Sequence, residues 1–273
     1  MVNLVKQLFA LLVLVCSAGM VAGHAQDLSS FFKDTEGAIV LYDLKNNRYI
    51  RYNEERCRRR FSPFSTFKIP NSLIGLETGV IEDAEFLIRW DQKKYPPQEQ
   101  RIAPFTSWNQ DHTLRSAMKN SVVWYYRELA ERVGKPVMQQ YVTKLRYGNH
   151  DTSGGINRFW LGSSLQISPN EQVEFLRRFY KEELPVSARS IQIVKEIISL
   201  EQTPAYKLSG KTGSGSLPGG KALGWFIGYV ERSDNVYFFA TNIEGANYSA
   251  VRDKRIALTK RILLELGWLP KAS

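Results

Sequence analysis

The chain has 273 residues, 43% of them hydrophobic and 23% charged, with 19 Gly and 11 Pro; these proportions exclude a disordered, collagenous or polytopic membrane protein. Its formal charge of +10 favours contact with anions such as carboxylates, cell-wall polymers or lipid head groups, and serves solubility as well. No repeat recurs at a period of about 20–50 residues, which excludes a solenoid or propeller.

Residues 1–25 read as a secretory signal peptide. Lys6 precedes the apolar run Leu8 to Val15, and Ala22-Gly23-His24-Ala25 places small residues before a cleavage point at Gln26. The run is too short to span a bilayer stably, although a retained anchor is the alternative. A periplasmic or secreted location is expected, with no membrane domain beyond this segment. Cleavage removes Lys6 and no acid, taking the charge from +10 to +9, and leaves Cys57 without a disulfide partner. His24, His112 and His150 are scattered and no Cys/His cluster has metal-ligand spacing, so a metallohydrolase is not expected. Nucleic acid is not an expected partner, because no binding motif is recognisable. The run Arg56-Cys57-Arg58-Arg59-Arg60 either lowers the thiol pKa or is a solvated face beside a semi-buried small residue, and the second reading is favoured.

Residues 37–43 and 48–52 read as a strand hairpin about the turn 44–47. A helix is predicted over 65–78 and stopped by Gly79, followed by a proline-rich loop at 95–104. One strong helix is predicted over 112–133, ended by Gly134, and another over 136–145. Residues 148–162 form a polar, glycine-rich loop. Helices follow over 168–181, capped by Ser168 or Asn170, and over 186–200. Apolar or alternating runs at 206–213, 224–230 and 236–243 then predict an antiparallel meander, and a last helix covers 250–266. Strands at both chain ends around a helical middle imply an α+β fold: one antiparallel sheet (26–60 and 201–273) flanked by terminal helices, with a helical lobe (61–200) inserted. A pocket is expected where the lobes meet.

Ser-x-x-Lys places two side chains one helical turn apart on one face. It occurs as Ser30/Lys33, Ser65/Lys68 and Ser116/Lys119. The first lies in a polar segment and the third on an amphipathic helix with an exposed charged stripe. Ser65/Lys68 lies in the apolar segment Phe61 to Pro70. Pro63 makes a turn before it, and Pro70 fits if the helix begins near Thr66. Ser65 would then sit at a helix N-terminus, where free amides favour negative charge. Alone, the pair reads equally as a nucleophile with a buried lysine base or as a capping serine with a snorkelling lysine. Lys211-Thr212-Gly213 followed by Ser214 suits a carboxylate lying against a strand edge. It joins Ser121-Val122-Val123, read as mid-helix, and Tyr147-Gly148-Asn149 at the start of the polar loop.

In their order and spacing, Ser65-Thr-Phe-Lys68, Ser121-Val-Val123, Tyr147-Gly-Asn149, Trp160 within Phe159-Trp-Leu-Gly162, and Lys211-Thr-Gly213 resemble the class D (OXA-type) serine β-lactamases over nearly all of residues 26–273. The resemblance implies the serine β-lactamase/penicillin-binding-protein fold and β-lactam substrates, with no metal and no protein partner. It implies acyl transfer to Ser65 followed by hydrolysis, and carbon dioxide or bicarbonate to carboxylate Lys68, which then acts as base in both steps. Phe67, Val123 and Trp160 would line the pocket around that lysine, with the Trp160 indole donating to the carbamate. Ser121 and Lys211 would relay a proton to the departing nitrogen, and the Ser65 and Ser214 amides would hold the oxyanion. Thr212, Gly213 and an arginine of the last helix would take the substrate carboxylate; of Arg252 and Arg255, spacing from Gly267 favours Arg255. Class A would show Ser-Asp-Asn at 121–123. Related β-lactam sensors, or penicillin-binding acceptors, which acylate without turnover, are the functional alternative; the Asn typical of the sensors is Val123 here.

Overall fold

The computed structural model describes residues 27–99 and 104–270. The signal segment read from the sequence therefore lies outside the described residues. In chain order the elements are β1 (Gly37–Asp43), β2 (Arg48–Tyr52), α1 (Glu54–Arg58), α2 (Lys68–Glu77), β3 (Leu87–Ile88), β4 (His112–Thr113), α3 (Leu114–Lys119), α4 (Val123–Val133), α5 (Lys135–Lys144), α6 (Pro169–Tyr180), α7 (Ala188–Ile197), β5 (Ser199–Gln202), β6 (Lys207–Ser216), β7 (Ala222–Glu231), β8 (Val236–Gly245), α8 (Tyr248–Arg252) and α9 (Lys254–Glu265).

Two-residue alternation along the strands sorts side chains into two cores. Ile39, Leu41, Phe226, Val230, Phe239 and Ile243 face α9, where Leu258, Ile262 and Leu263 complete one cluster. Ala38, Val40, Tyr42, Trp225, Ile227 and Tyr229 face the other way and join the larger core formed with the helices. The six-stranded sheet has the order β2-β1-β8-β7-β6-β5, with every neighbouring pair antiparallel. The sheet thus draws on both chain ends, as expected. Helix α6 packs across β1, β7 and β8, with Tyr180 edge-on to Tyr229 and Phe238.

Three helices differ from the sequence reading. The helix expected over 112–133 is interrupted. His112 and Thr113 pair with β3, and Thr113 and Ser116 form a reciprocal capping box that starts α3. Helix α3 closes when Ser121 turns left-handed (φ 54°), its N–H donating to the Met118 carbonyl at 3.2 Å while that of Val122 donates to Ala117 at 2.9 Å. This is a Schellman closure with serine where glycine is usual. Ser121-Val122-Val123 is therefore a junction between helices and not mid-helix. The helix expected over 186–200 stops at Ile197, and Ser199–Gln202 becomes an edge strand on β6. The last helix breaks at Asp253 into α8 and α9. Of the two caps considered for α6, Ser168 makes the capping box with Glu171, while Asn170 instead accepts from Arg51 Nε at 2.9 Å.

The basic run at 56–60 is not wholly a solvated face. Arg56 is buried, with ion pairs to Glu244 at 2.7 Å and Glu36 at 3.2 Å. Cys57 is fully buried, and burial outweighs the neighbouring arginines, pushing its thiol up to about 12. A lowered, reactive thiol is thereby excluded.

Candidate active site

The turn that carries Ser65 is held under backbone strain. Residues Phe64–Phe67 form a 3-10 turn leading into α2, and Phe64 has a φ of 48°. The Phe64 N–H and the Ser62 hydroxyl both donate to the Trp160 carbonyl, at 3.0 and 2.9 Å, fastening the turn to the polar loop. Against its other side lies β6, where glycines permit the approach. A Cβ on Gly215 would fall 1.9 Å from the Phe64 ring, and one on Gly213 would fall 2.8 Å from the Pro63 carbonyl.

Lys68 reaches back one turn, and its Nζ donates to Ser65 Oγ at 2.8 Å. The side chain is 0% exposed, with the Tyr126 ring 5.1 Å from Nζ. Burial, then the positive charges of Lys211 and Arg127, hold its amine well below the ordinary lysine range. The snorkelling reading is thus overturned: Lys68 keeps its amine inside, bonded to Ser65, and has no carboxylate partner among the described residues. Phe67 is buried beside it, stacked on Trp160 at 5.4 Å and edge-on to Phe159 at 5.1 Å. The Trp160 Nε1 is buried with no hydrogen-bond partner among the described residues. An orphaned donor on the indole stacked against Phe67, next in sequence to a lysine whose amine is held low, is a fit for an anionic carbamate on Nζ, because a buried N–H left unpaired costs about 1–3 kcal/mol.

A cleft of about 470 Å³ opens over this group. Eight of the eleven residues predicted for the site line it: Ser65, Ser121, Val123, Lys211, Thr212, Gly213, Ser214 and Arg255. The other three, Phe67, Lys68 and Trp160, are buried at 0% exposure. The left-handed Ser121 aims its Oγ at Lys211, whose Nζ donates to it at 3.1 Å and to the Thr212 carbonyl at 3.1 Å. Burial and then the charge of Arg255 lower the Lys211 amine to about 7.

The end of β5 frees one edge of β6. Gly210 N–H donates to the Ile198 carbonyl at 2.9 Å, and strand pairing with β5 ends at Ser209. Alternation along an antiparallel strand turns the peptide groups of Thr212 and Ser214 to that same side, into the cleft. Arg255, on α9, is buried and donates through Nη1 to the Gly213 carbonyl at 2.5 Å, while its Nε has no partner among the described residues. Burial lowers its guanidinium to about 10. Arg252 also borders the cleft but is engaged by Asp253 at 2.6 Å, which favours Arg255 of the two.

Residues that the sequence reading did not select also shape the cleft. Phe105 stacks edge-on with Trp108 at 4.9 Å and meets Tyr248 of α8 at 5.5 Å, so an aromatic contact bridges the mouth. Lys119 borders it and is exposed. Aromatic residues in a loop carry no periodic signal.

Comparison with known proteins agrees with this geometry. The penicillin binding protein transpeptidase domain matches residues 35–264. The chain is 43% identical over 219 residues to the "Probable beta-lactamase YbxI" of Bacillus subtilis (strain 168), covering 80% of this chain and 78% of that one. It is 39% identical over 227 residues to the "Regulatory protein BlaR1" of Bacillus licheniformis, covering 82% of this chain and only 36% of that longer protein. The crystal structure of the class D β-lactamase YbXI from Nostoc superposes with a TM-score of 0.80 at 40% identity, covering 88% of this chain and 98% of that one.

Proposed function

The chain belongs to the class D serine β-lactamases, and from that premise we propose that it hydrolyses β-lactams through an ester on Ser65, with Lys68 carboxylated by carbon dioxide as the general base. The observation that carries this reading is a fully buried lysine, 2.8 Å from the nucleophile, whose neighbour Phe67 stacks on Trp160, an indole with a buried, unpartnered N–H among the described residues. Carboxylated, Lys68 would supply a base for the Ser65 proton and later for water. Phe67 and Val123 keep its surroundings apolar, so that the amine is neutral and able to react with carbon dioxide. Trp160 Nε1 would hold the resulting charge.

Ser65 Oγ attacks the lactam carbonyl carbon, the carbon–nitrogen bond breaks, and the acyl group stays on Ser65. The Ser65 amide, at the start of its turn, and the Ser214 amide on the open strand edge stabilise the oxyanion. One such donor is commonly worth about 3 kcal/mol. Lys211 hands a proton through Ser121 Oγ to the departing nitrogen, a task suited to an amine near 7. Thr212, the Gly213 strand edge and Arg255 hold the substrate carboxylate. Export by the segment 1–25, to the periplasm or beyond, belongs to the same proposal.

Similarity to BlaR1 supports a second reading, a β-lactam acceptor that acylates without clearing. Against it, Val123 at the cleft wall brings no polar group to Lys68. A time course of benzylpenicillin hydrolysis with and without bicarbonate, alongside mass spectrometry of the protein, decides between them. Many turnovers that accelerate with bicarbonate are expected. A single stoichiometric acylation that never clears would refute the hydrolase.

A further inference from the structure

Basic side chains gather around the reaction centre with few acids beside them among the described residues. Lys68, Lys211 and Arg255 are all buried, and the acid on the cleft wall, Asp253, is taken by Arg252. A fourth basic side chain stands behind them. Arg127 lies one turn beyond Val123 on α4, on the same helix face. It lines a second cavity, of about 220 Å³, walled also by Trp90, Tyr95 and Trp124. Val123 borders both this cavity and the catalytic cleft.

The guanidinium Nε of Arg127 is buried without a partner among the described residues. The carboxylates close by on α4 are turned elsewhere. Glu128 pairs with Lys94 at 2.6 Å and Arg132 at 3.1 Å, and Glu131 pairs with Lys94 at 2.6 Å. The stretch of α4 that carries Arg127 is anchored. Its neighbour Tyr126 is clamped to α2, where its carbonyl accepts from Asn71 Nδ2 at 3.2 Å and its hydroxyl meets Ser72 Oγ at 3.0 Å. The same ring lies 5.1 Å from Lys68 Nζ. Helix α4 therefore fixes the backbone of Arg127 relative to Lys68.

We propose that Arg127 is a positioning residue for the carboxylated state of Lys68: from behind Val123, its guanidinium supplies the positive charge that an anion buried on the Lys68 nitrogen requires. The inference rests on the carboxylation proposed above. In that step the amine lone pair forms a nitrogen–carbon bond to carbon dioxide, one carbon–oxygen π pair moves to oxygen, and the nitrogen releases a proton to solvent. Neutral reactants become a buried anion, so a fixed cation shifts the equilibrium toward the carbamate. Arg127 also disfavours the competing ammonium form of the same lysine.

The test is a bicarbonate titration followed by the lysine carbamate resonance. Enzyme stripped of carbon dioxide at acid pH, degassed and returned to neutral pH is titrated with carbon-13 bicarbonate, as the parent and as Arg127→Lys, Arg127→Gln and Arg127→Met. Half-saturation is expected to rise about tenfold in the Gln and Met variants. Arg127→Lys, which keeps the charge, is expected to stay within about threefold of the parent. Two neutral variants of different shape guard against one that fails to fold. Neutral variants that titrate like the parent would overturn the role of Arg127 while leaving carboxylation standing. Arg127→Lys as weak as Arg127→Met would also overturn it, since the loss would then follow shape and not charge. A parent with no carbamate resonance at any bicarbonate concentration would overturn the carboxylation itself and this inference with it.

Discussion

Replacing Trp160 with Phe separates the two things the indole does. Its ring packs against Phe67 and Phe159, at 5.4 and 4.9 Å between centroids, while its N–H is buried and unpartnered among the described residues. Phenylalanine keeps an aromatic ring and deletes the donor. Without carbon dioxide, two terms oppose each other. Removing an unsatisfied donor relieves about 1–3 kcal/mol, and the void left by the smaller ring costs roughly 1–2 kcal/mol. The net change in unfolding free energy should stay within about 2 kcal/mol. In the carboxylated enzyme the donor is in use, and a hydrogen bond to a charged acceptor contributes about 1.5–3 kcal/mol. Its loss should weaken carbon dioxide retention about 10- to 100-fold. The assay pairs urea unfolding of the bicarbonate-free protein with the bicarbonate concentration that restores half-maximal penicillin turnover. A Trp160→Phe enzyme that loses stability but keeps the parent's bicarbonate midpoint would refute the reasoning, because the indole would then matter for packing alone.

Further outcomes are expected at Ser65, Lys68, Val123, Lys211 and Cys57. Ser65→Ala should abolish covalent labelling by penicillin, whereas Lys68→Ala should leave any ester formed on Ser65 uncleared; mass spectrometry reads both, and labelling that survives in Ser65→Ala would place the nucleophile elsewhere. Val123→Asp puts an anion on the cleft wall near Lys68, raising its amine pKa and weakening carbon dioxide retention; an unchanged bicarbonate midpoint would count against the apolar-pocket argument. Lys211 titrates near 7 when folded, against an ordinary value of 10.5, so between those values the unfolded chain binds the extra proton, and stability contributed by this group rises with pH and is lost as pH falls toward 7. Lys211→Met should therefore gain more stability over the parent at pH 7 than at pH 9.5 in urea melts, and an equal gain at both would contradict the assignment. Cys57, buried with its thiol raised to about 12, should react with thiol reagents only after unfolding, which a colorimetric labelling series in urea checks.

Short-range patterns in the sequence determined a good deal. The three-residue interval between Ser65 and Lys68 fixed their meeting across one helical turn, because helix geometry alone delivers it. Two-residue alternation in β1, β7 and β8 set which side chains face which core. Tertiary structure decided what depends on partners distant in sequence. Helical periodicity runs straight through Ser121, so the left-handed turn that aims its hydroxyl at Lys211 left no trace in the pattern. Leu200 and its neighbours read as helix until β6 offered a strand to pair with. That the Lys68 amine is held well below the ordinary lysine range follows from burial by segments that the chain brings together from more than fifty residues away, Tyr126 and the Trp160 stacked on Phe67 among them. The aromatic bridge of Phe105 and Tyr248, and the cation Arg127 behind Val123, are likewise matters of which surfaces meet. Spacing specifies neighbours along one element; desolvation and charge depend on everything packed around a group, and only the assembled fold supplies that.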